Sequence, residues 1–259
     1  MSQSQLTFNP NKRFETSQVS LFWAETRKAL SNTDLENFKM DNVIRGIPLW
    51  QTRMKPFHVH MLEEIKDLGW YDFTENIPGF RYVEDYEENT FEFQGSRTTS
   101  NRIRNLHHVH KMPDPSRFEA IFEFGAGIGE FASIFLSRFR SRPYYIYDLP
   151  EVLRLSQFYL KEFSGVEFIT EGESWSKAPE DSLLVSMWGL SEIPTGFRDH
   201  LIRTMKPKEI YLTMQSQFED INNLQWAYNV PGYKVEMERI CDHDWDEGSW
   251  YVYMEKDNG

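Results

Sequence analysis

The sequence predicts an α/β chain: a Rossmann-like, seven-stranded, mostly parallel sheet with an antiparallel C-terminal hairpin, preceded by an N-terminal helical extension. Three observations predict it. From Phe118 onward, strand-length apolar runs alternate with helix-length segments, the pattern of parallel strands joined by crossover helices. The first of these strands runs into a loop holding Gly125, Gly127 and Gly129, after which a helix opens. The last two strands are separated by too few residues for a helix, so they must pair as a hairpin.

The elements follow in order. Residues 1–16 are polar. A helix is expected over 17–31, with Val19, Phe22, Trp23 and Leu30 near helical spacing. Thr33 and Glu36 have capping-box spacing for a second helix. A third runs from about Pro56 to Leu68 and stops at Gly69. The acidic stretch 82–96 reads as a loop or short hairpin. Another helix starts at Thr99, with Ile103, Leu106, Val109 and Met112 on one face, and Pro113 and Pro115 end it. Strands are then expected at 118–124, 144–147, 166–170, 182–188, 209–214, 233–240 and 249–255. Helices are expected at 129–140, 150–163, 194–205 and 217–228. The chain divides into a mostly helical extension, 1–96, acting as lid or dimer contact, and a ligand-binding domain, 97–259.

Composition narrows the function. The net charge is −12 across 259 residues, which disfavours a nucleic-acid partner, since that partner needs clustered Lys and Arg. Aromatics reach 15%, enough for a ring-rich core. The single cysteine, Cys241, rules out an internal disulfide and fits a cytoplasmic location. The N-terminus lacks the apolar core of a signal peptide, and no run of 18 apolar residues is present, so no membrane span is expected.

The glycine loop carries the chemistry. Read as the dinucleotide fingerprint G-x-G-x-x-G/A, it fits Gly125 and Gly127 but meets Glu130 where a small residue must let helix and strand pack. A pyrophosphate would also face Glu123 and Glu130 with no Arg or Lys in the loop. Read as acid-x-G-x-G-x-G, it fits Glu123, Gly125, Gly127 and Gly129 throughout. A ligand with a ribose and a cationic amino group, but no phosphate, suits those acids; S-adenosylmethionine is one. Asp148 ends the second strand, 23 residues beyond Gly125, where a carboxylate can accept both ribose hydroxyls. It can also cap the helix opening at Pro150.

On these residues, 121–131, the DLPEV of 148–152 and the SMWGLSEIP of 186–194, the chain resembles the class I S-adenosylmethionine-dependent methyltransferases. DLPEV before a helix, then a strand ending in L-S-E, resembles the sugar O-methyltransferase group of bacterial surface-polysaccharide clusters. The resemblance covers residues 97–255 and only loosely 17–96. It implies a seven-stranded sheet with an antiparallel last strand, and methyl transfer to a sugar hydroxyl of a small-molecule or glycan acceptor.

Such a transfer needs an in-line hydroxyl and a group to take its proton. His243, flanked by Asp242 and Asp244, is the expected base. Glu192 is its helper or a substrate ligand, with helix capping as the alternative. Ala126 and Leu149 complete the cofactor loops. Glu173 and Ser174 follow the third strand, where an adenine contact is expected. Trp188 packs on adenine or sugar, or in the core, as does Trp175. Gln215 and Gln217 are candidate sugar ligands. The acidic loop 241–248 offers ligands for a divalent ion, but its spacing is not that of an EF-hand and no metal is expected. His107, His108 and His110 read as a partly exposed helix lying over the cofactor, rather than as a metal site. Two other readings stay open: a nicotinamide-dependent oxidoreductase, and a cofactor-binding interaction protein without catalysis. A homodimer through the N-terminal helices is also expected.

Overall fold

The computed structural model describes residues 59, 61, 63–65, 90–93, 96–139, 142–169, 175, 178–179, 181–240 and 248–257. The helices expected at 17–31 and after Thr33 lie outside these residues. Residues 59, 61 and 63–65 are helical, as the third expected helix requires. The hairpin reading of the acidic stretch holds where it is described: β1 (Thr90–Phe93) pairs antiparallel with β2 (Ser96–Thr99).

Helix α1 (Ser100–Lys111) follows at once. Thr99 caps it, its hydroxyl accepting from the Arg102 N–H at 3.1 Å. Then come β3 (Ala120–Phe124), α2 (Glu130–Arg138), β4 (Tyr144–Tyr147), α3 (Pro150–Tyr159), β5 (Val166–Ile169) and β6 (Ser182–Met187). After β6 lie α4 (Thr195–Met205), β7 (Glu209–Gln215), the short β8 (Gln217–Phe218) and β9 (Ile221–Asn222), α5 (Asn223–Tyr228), β10 (Tyr233–Arg239) and β11 (Ser249–Lys256).

Seven strands form one sheet in the order β10-β11-β7-β6-β3-β4-β5. The pairs β7–β6, β6–β3, β3–β4 and β4–β5 are parallel, whereas β11 is antiparallel to both neighbours. The fold is the Rossmann-like one expected. Strand β3 is buried along its whole length, as a central parallel strand must be.

Side chains alternate across the sheet, and each face has its own core. On one side Ile121, Ile146, Leu183 and Val185 pack under α1 and α2, joined by Met61 and Ile65. On the other, Phe122, Leu184, Ile210 and Leu212 pack under α4 and α5. The period of two that makes Ile121 and Phe122 face opposite ways also puts Glu123 on the α1–α2 side.

One expected helix is corrected. Residues 217–222 form the β8–β9 hairpin, and the helix runs only over Asn223–Tyr228. Two local features outweigh helix propensity there. Glu219 sits at φ 51, a left-handed turn residue. Asn222 then starts the helix late, its side chain accepting from the Gln225 N–H at 2.9 Å.

The chain crosses from β5 to β6 on the far side of β3. The crevice outside the carboxyl ends of β3 and β6 is therefore the topological switch point, where sheets of this kind take ligands.

Candidate functional site

A cleft with a volume of about 170 Å³ opens at that switch point. Three segments build it: the β3–α2 loop, the Asp148–Leu149 corner after β4, and the turn after β6. The inner face of α1 closes a further side with Asn101, Arg104, Asn105 and His108.

The glycine loop is a backbone device. Gly125, Gly127 and Gly129 all take positive φ, at 76°, 58° and 84°. Gly125 and Gly127 line the cleft with Ala126; Gly129 does not. Gly129 is instead the N-cap of α2, and a Cβ there would meet Leu160 Cδ1 at 2.8 Å.

Asp148 holds the loop. Its Oδ2 accepts from the Gly127 N–H at 2.8 Å and its Oδ1 from the Leu149 N–H at 2.7 Å. Pro150 is the first residue of α3, as expected, but the N-cap is Leu149, not Asp148. Each carboxylate oxygen keeps a lone pair for a ligand hydroxyl. Burial pushes the Asp148 pKa up to about 7, against the pull of the two N–H bonds.

Glu123 is buried in the cleft wall and accepts from the Tyr144 hydroxyl at 2.8 Å. Desolvation raises its pKa to about 8. Glu130 is buried in the first turn of α2, where Asn101 and Asn105 both donate to its Oε2. An acidic residue thus stands in the first turn of α2, beside the helix N-terminus that a phosphate would use.

Trp188 follows β6 at φ 70, ψ −37, a conformation rare for a residue with a side chain. Its N–H donates to the Thr213 carbonyl at 2.9 Å, and its carbonyl accepts from the Ser191 N–H and hydroxyl. The Arg104 guanidinium lies 5.3 Å from the Trp188 ring centroid. The turn Gly189–Glu192 brings Glu192 to the cleft; the N-cap of the next helix is Pro194, so Glu192 is not the capping residue. Buried Arg198 fastens this turn by donating to the carbonyls of Ser191 and Ile193 and to Asn223 Oδ1.

The fold thus gathers Glu123, Gly125, Ala126, Gly127, Asp148, Leu149, Trp188 and Glu192. It separates others. Gln215 accepts from the Ser191 hydroxyl at 3.0 Å and Gln217 donates to the Glu219 carbonyl, and neither lines the cleft. Trp175 packs on Tyr147, Phe197 and His200. Glu173, Ser174 and His243 lie outside the described residues, as does nearly all of the acidic loop 241–248. Among the described residues, no three His, Cys, Asp or Glu side chains gather as a metal site.

Sequence reading missed Tyr147, Met187, Gly189 and Ile193, which carry no signal of their own. The sequence marks Arg104 and His108, as part of the stretch 98–104 and of the histidine helix expected to lie against the ligand, and the helical spacing that buries Ile103 and Leu106 turns 104 and 108 together to the next face.

Among the described residues, the lining holds four carboxyl groups, Glu123, Glu130, Asp148 and Glu192, against one guanidinium, Arg104. This suits a ligand with ribose hydroxyls and positive charge, and opposes one with phosphates.

No family model matches the chain, and no curated protein matches it. Among solved structures it is similar to the methyltransferase domain of bacterial CtHen1, at 13% identity over 60% of this chain and 98% of that one, with a TM-score of 0.49. It is similar to the CurJ carbon methyltransferase at 14% identity, over 60% and 54% of the two chains, with a TM-score of 0.46. It is also similar to a precorrin-6y C5,15-methyltransferase from Geobacter metallireducens at 15% identity, over 61% and 90%, with a TM-score of 0.43. At such values the likeness carries no functional argument, and the functional reading rests on the cleft itself.

Proposed function

We propose that the chain is an S-adenosylmethionine-dependent O-methyltransferase acting on a sugar hydroxyl of a small-molecule or glycan acceptor. The observation that carries the cofactor is the acid-lined, glycine-walled cleft at the switch point of the sheet. In this reading Asp148 accepts from ribose hydroxyls, supported by its place in the cleft lining, while its backbone bonds keep the loop shaped. Glu123 and Glu130 favour a cationic ligand. The cofactor supplies an electrophilic methyl group; the residues of this chain bind, orient and remove a proton.

The acceptor rests on less: the resemblance of 148–152 and 186–194 to sugar O-methyltransferases. It is supported by Glu192, which that resemblance marks and which lines the cleft. Glu192 orients the acceptor hydroxyl. The extension 1–96 serves as lid or dimer contact, which light scattering of the full chain tests. The nicotinamide reading has Glu130 against it, at the helix end a pyrophosphate needs.

Calorimetric titration with S-adenosylhomocysteine, and separately with NADH, decides between them. Wild type should bind the first at micromolar concentration and not the second. Asp148→Ala should weaken that binding by about tenfold or more, the value of one or two hydrogen bonds to a charged group. Binding of NADH alone would overturn the reading.

A further inference from the structure

Four side chains outside the glycine loop form a hydrogen-bonded file that ends at the cleft. Glu64 Oε2 lies 2.5 Å from His107 Nε2. His107 Nδ1 lies 2.6 Å from the Tyr251 hydroxyl, and that same hydroxyl lies 2.9 Å from His108 Nδ1. His108 lines the cleft, and both histidines are buried.

Counting protons sets the direction of every bond. An ionised carboxylate only accepts, so with Glu64 ionised His107 carries its proton on Nε2. Burial keeps His107 neutral, its pKa brought down to about 4, so Nδ1 is an acceptor. Tyr251 has a single proton and gives it to that nitrogen. The Tyr251 oxygen then faces His108 Nδ1 as an acceptor, so His108 Nδ1 carries a proton. Burial, with Arg104 nearby, keeps His108 neutral as well. Its Nε2 is therefore a bare lone pair on a ring that lines the cleft.

From this geometry we infer that His108 Nε2 is the proton acceptor of the cleft, and that Tyr251, His107 and Glu64 form the wire that carries the proton away. The inference rests on the methyltransferase reading above. As the acceptor oxygen forms its bond to the methyl carbon, the C–S electron pair stays on sulfur and the hydroxyl proton passes to His108 Nε2. The Nδ1 proton moves to the Tyr251 oxygen, the Tyr251 proton to His107 Nδ1, and the His107 Nε2 proton to Glu64. Each ring ends neutral in its other tautomer. The transferred proton rests on Glu64, whose side chain is 37% exposed and can pass it to water. A desolvated imidazole holds a charge badly; here it is never left holding one. Tyr251, His107 and Glu64 are positioning residues.

Long-range nitrogen–proton correlation spectra of the 15N-labelled full chain read each tautomer with no substrate present. Near neutral pH, His107 should carry its proton on Nε2 and His108 on Nδ1, the less common form for histidine in water. A proton on His108 Nε2 would overturn the proposal. Glu64→Gln replaces an obligate acceptor with an amide that can donate or accept, so both rings should become tautomer mixtures together. A change in one ring alone would sink the wire. Tyr251→Phe should release His108 to the common Nε2–H form, with S-adenosylhomocysteine affinity within about threefold of wild type, under 1 kcal/mol; a His108 that stays Nδ1–H would count against the relay. If wild type binds no S-adenosylhomocysteine, the methyltransferase reading falls instead, and the spectra tell the two failures apart.

Discussion

Gly125 and Gly189 meet backbone to backbone: a Cβ on Gly125 would stand 2.8 Å from the Gly189 Cα, and one on Gly189 would stand 2.9 Å from the Gly125 Cα. This approach joins the glycine loop to the turn after β6. Ser186 reinforces it, its hydroxyl donating to the Phe124 carbonyl at 2.7 Å and accepting from the Leu190 N–H at 2.8 Å. Gly189→Ala should therefore destabilise the fold by about 1–3 kcal/mol, the usual cost of overpacking. Gly196→Ala is the control. Nothing lies within 4 Å of a Cβ there, and the site is helical, so thermal unfolding should shift slightly upward.

Stability should fall as pH rises from about 6.5 to 8. Glu123 holds its proton to about 8 in the folded chain and Asp148 to about 7, whereas both lose it near 4 when unfolded. Over that interval the folded state binds more protons, so raising the pH favours unfolding. Below 6.5 the buried His107 and His108 act in the opposite sense, because the unfolded rings take up protons that the folded ones do not. Melting temperatures measured from pH 5 to 8.5 should be nearly level and then decline. Glu123→Gln should flatten most of the decline; a slope unchanged in that variant would refute the assignment. Binding of a cationic ribonucleoside should also release protons at pH 7.5, read as a buffer-dependent binding enthalpy.

Asp148→Asn keeps the shape but not the bonding. One of the two loop N–H groups, of Gly127 or Leu149, would then face an amide nitrogen instead of an oxygen. The free protein should lose about 1–3 kcal/mol, the cost of an unsatisfied donor, before any ligand is added. Chemical denaturation of the unliganded variant measures it.

Trp188→Gly should separate stability from binding. Glycine adopts the φ of 70 without strain, which returns about 1 kcal/mol. The ring lines the cleft, and its loss should weaken S-adenosylhomocysteine binding even if the variant melts higher. A variant that binds as wild type would place the ring outside the ligand's reach.

Much of this site was legible in one dimension. Glu123, Gly125 and Gly127 lie on five consecutive residues, and Asp148 ends the next strand, so local pattern alone marked them. Pro150 announced its helix and Thr99 capped another. The helix expected over 217–228 failed because Asn222 competes with the backbone for hydrogen bonds, and that competition outweighed the propensity of the residues around it. Gln215 and Gln217 were chosen by their position after a strand, but Gln215 is drawn to Ser191 by a bond between segments far apart in the chain.

What the sequence determined by itself is the alternation of strands and helices and the acid-flanked glycine loop, because both depend on spacings of a few residues. Only the tertiary structure decided that Gly189 meets Gly125, that four carboxyl groups share one cleft, and that Glu64, His107, Tyr251 and His108 form a file. These depend on sheet order and helix packing, which bring into contact residues 43 to 144 positions apart in the chain. Burial then shifts the protonation of Glu123, Asp148, His107 and His108, and no spacing along the chain reveals burial of that kind.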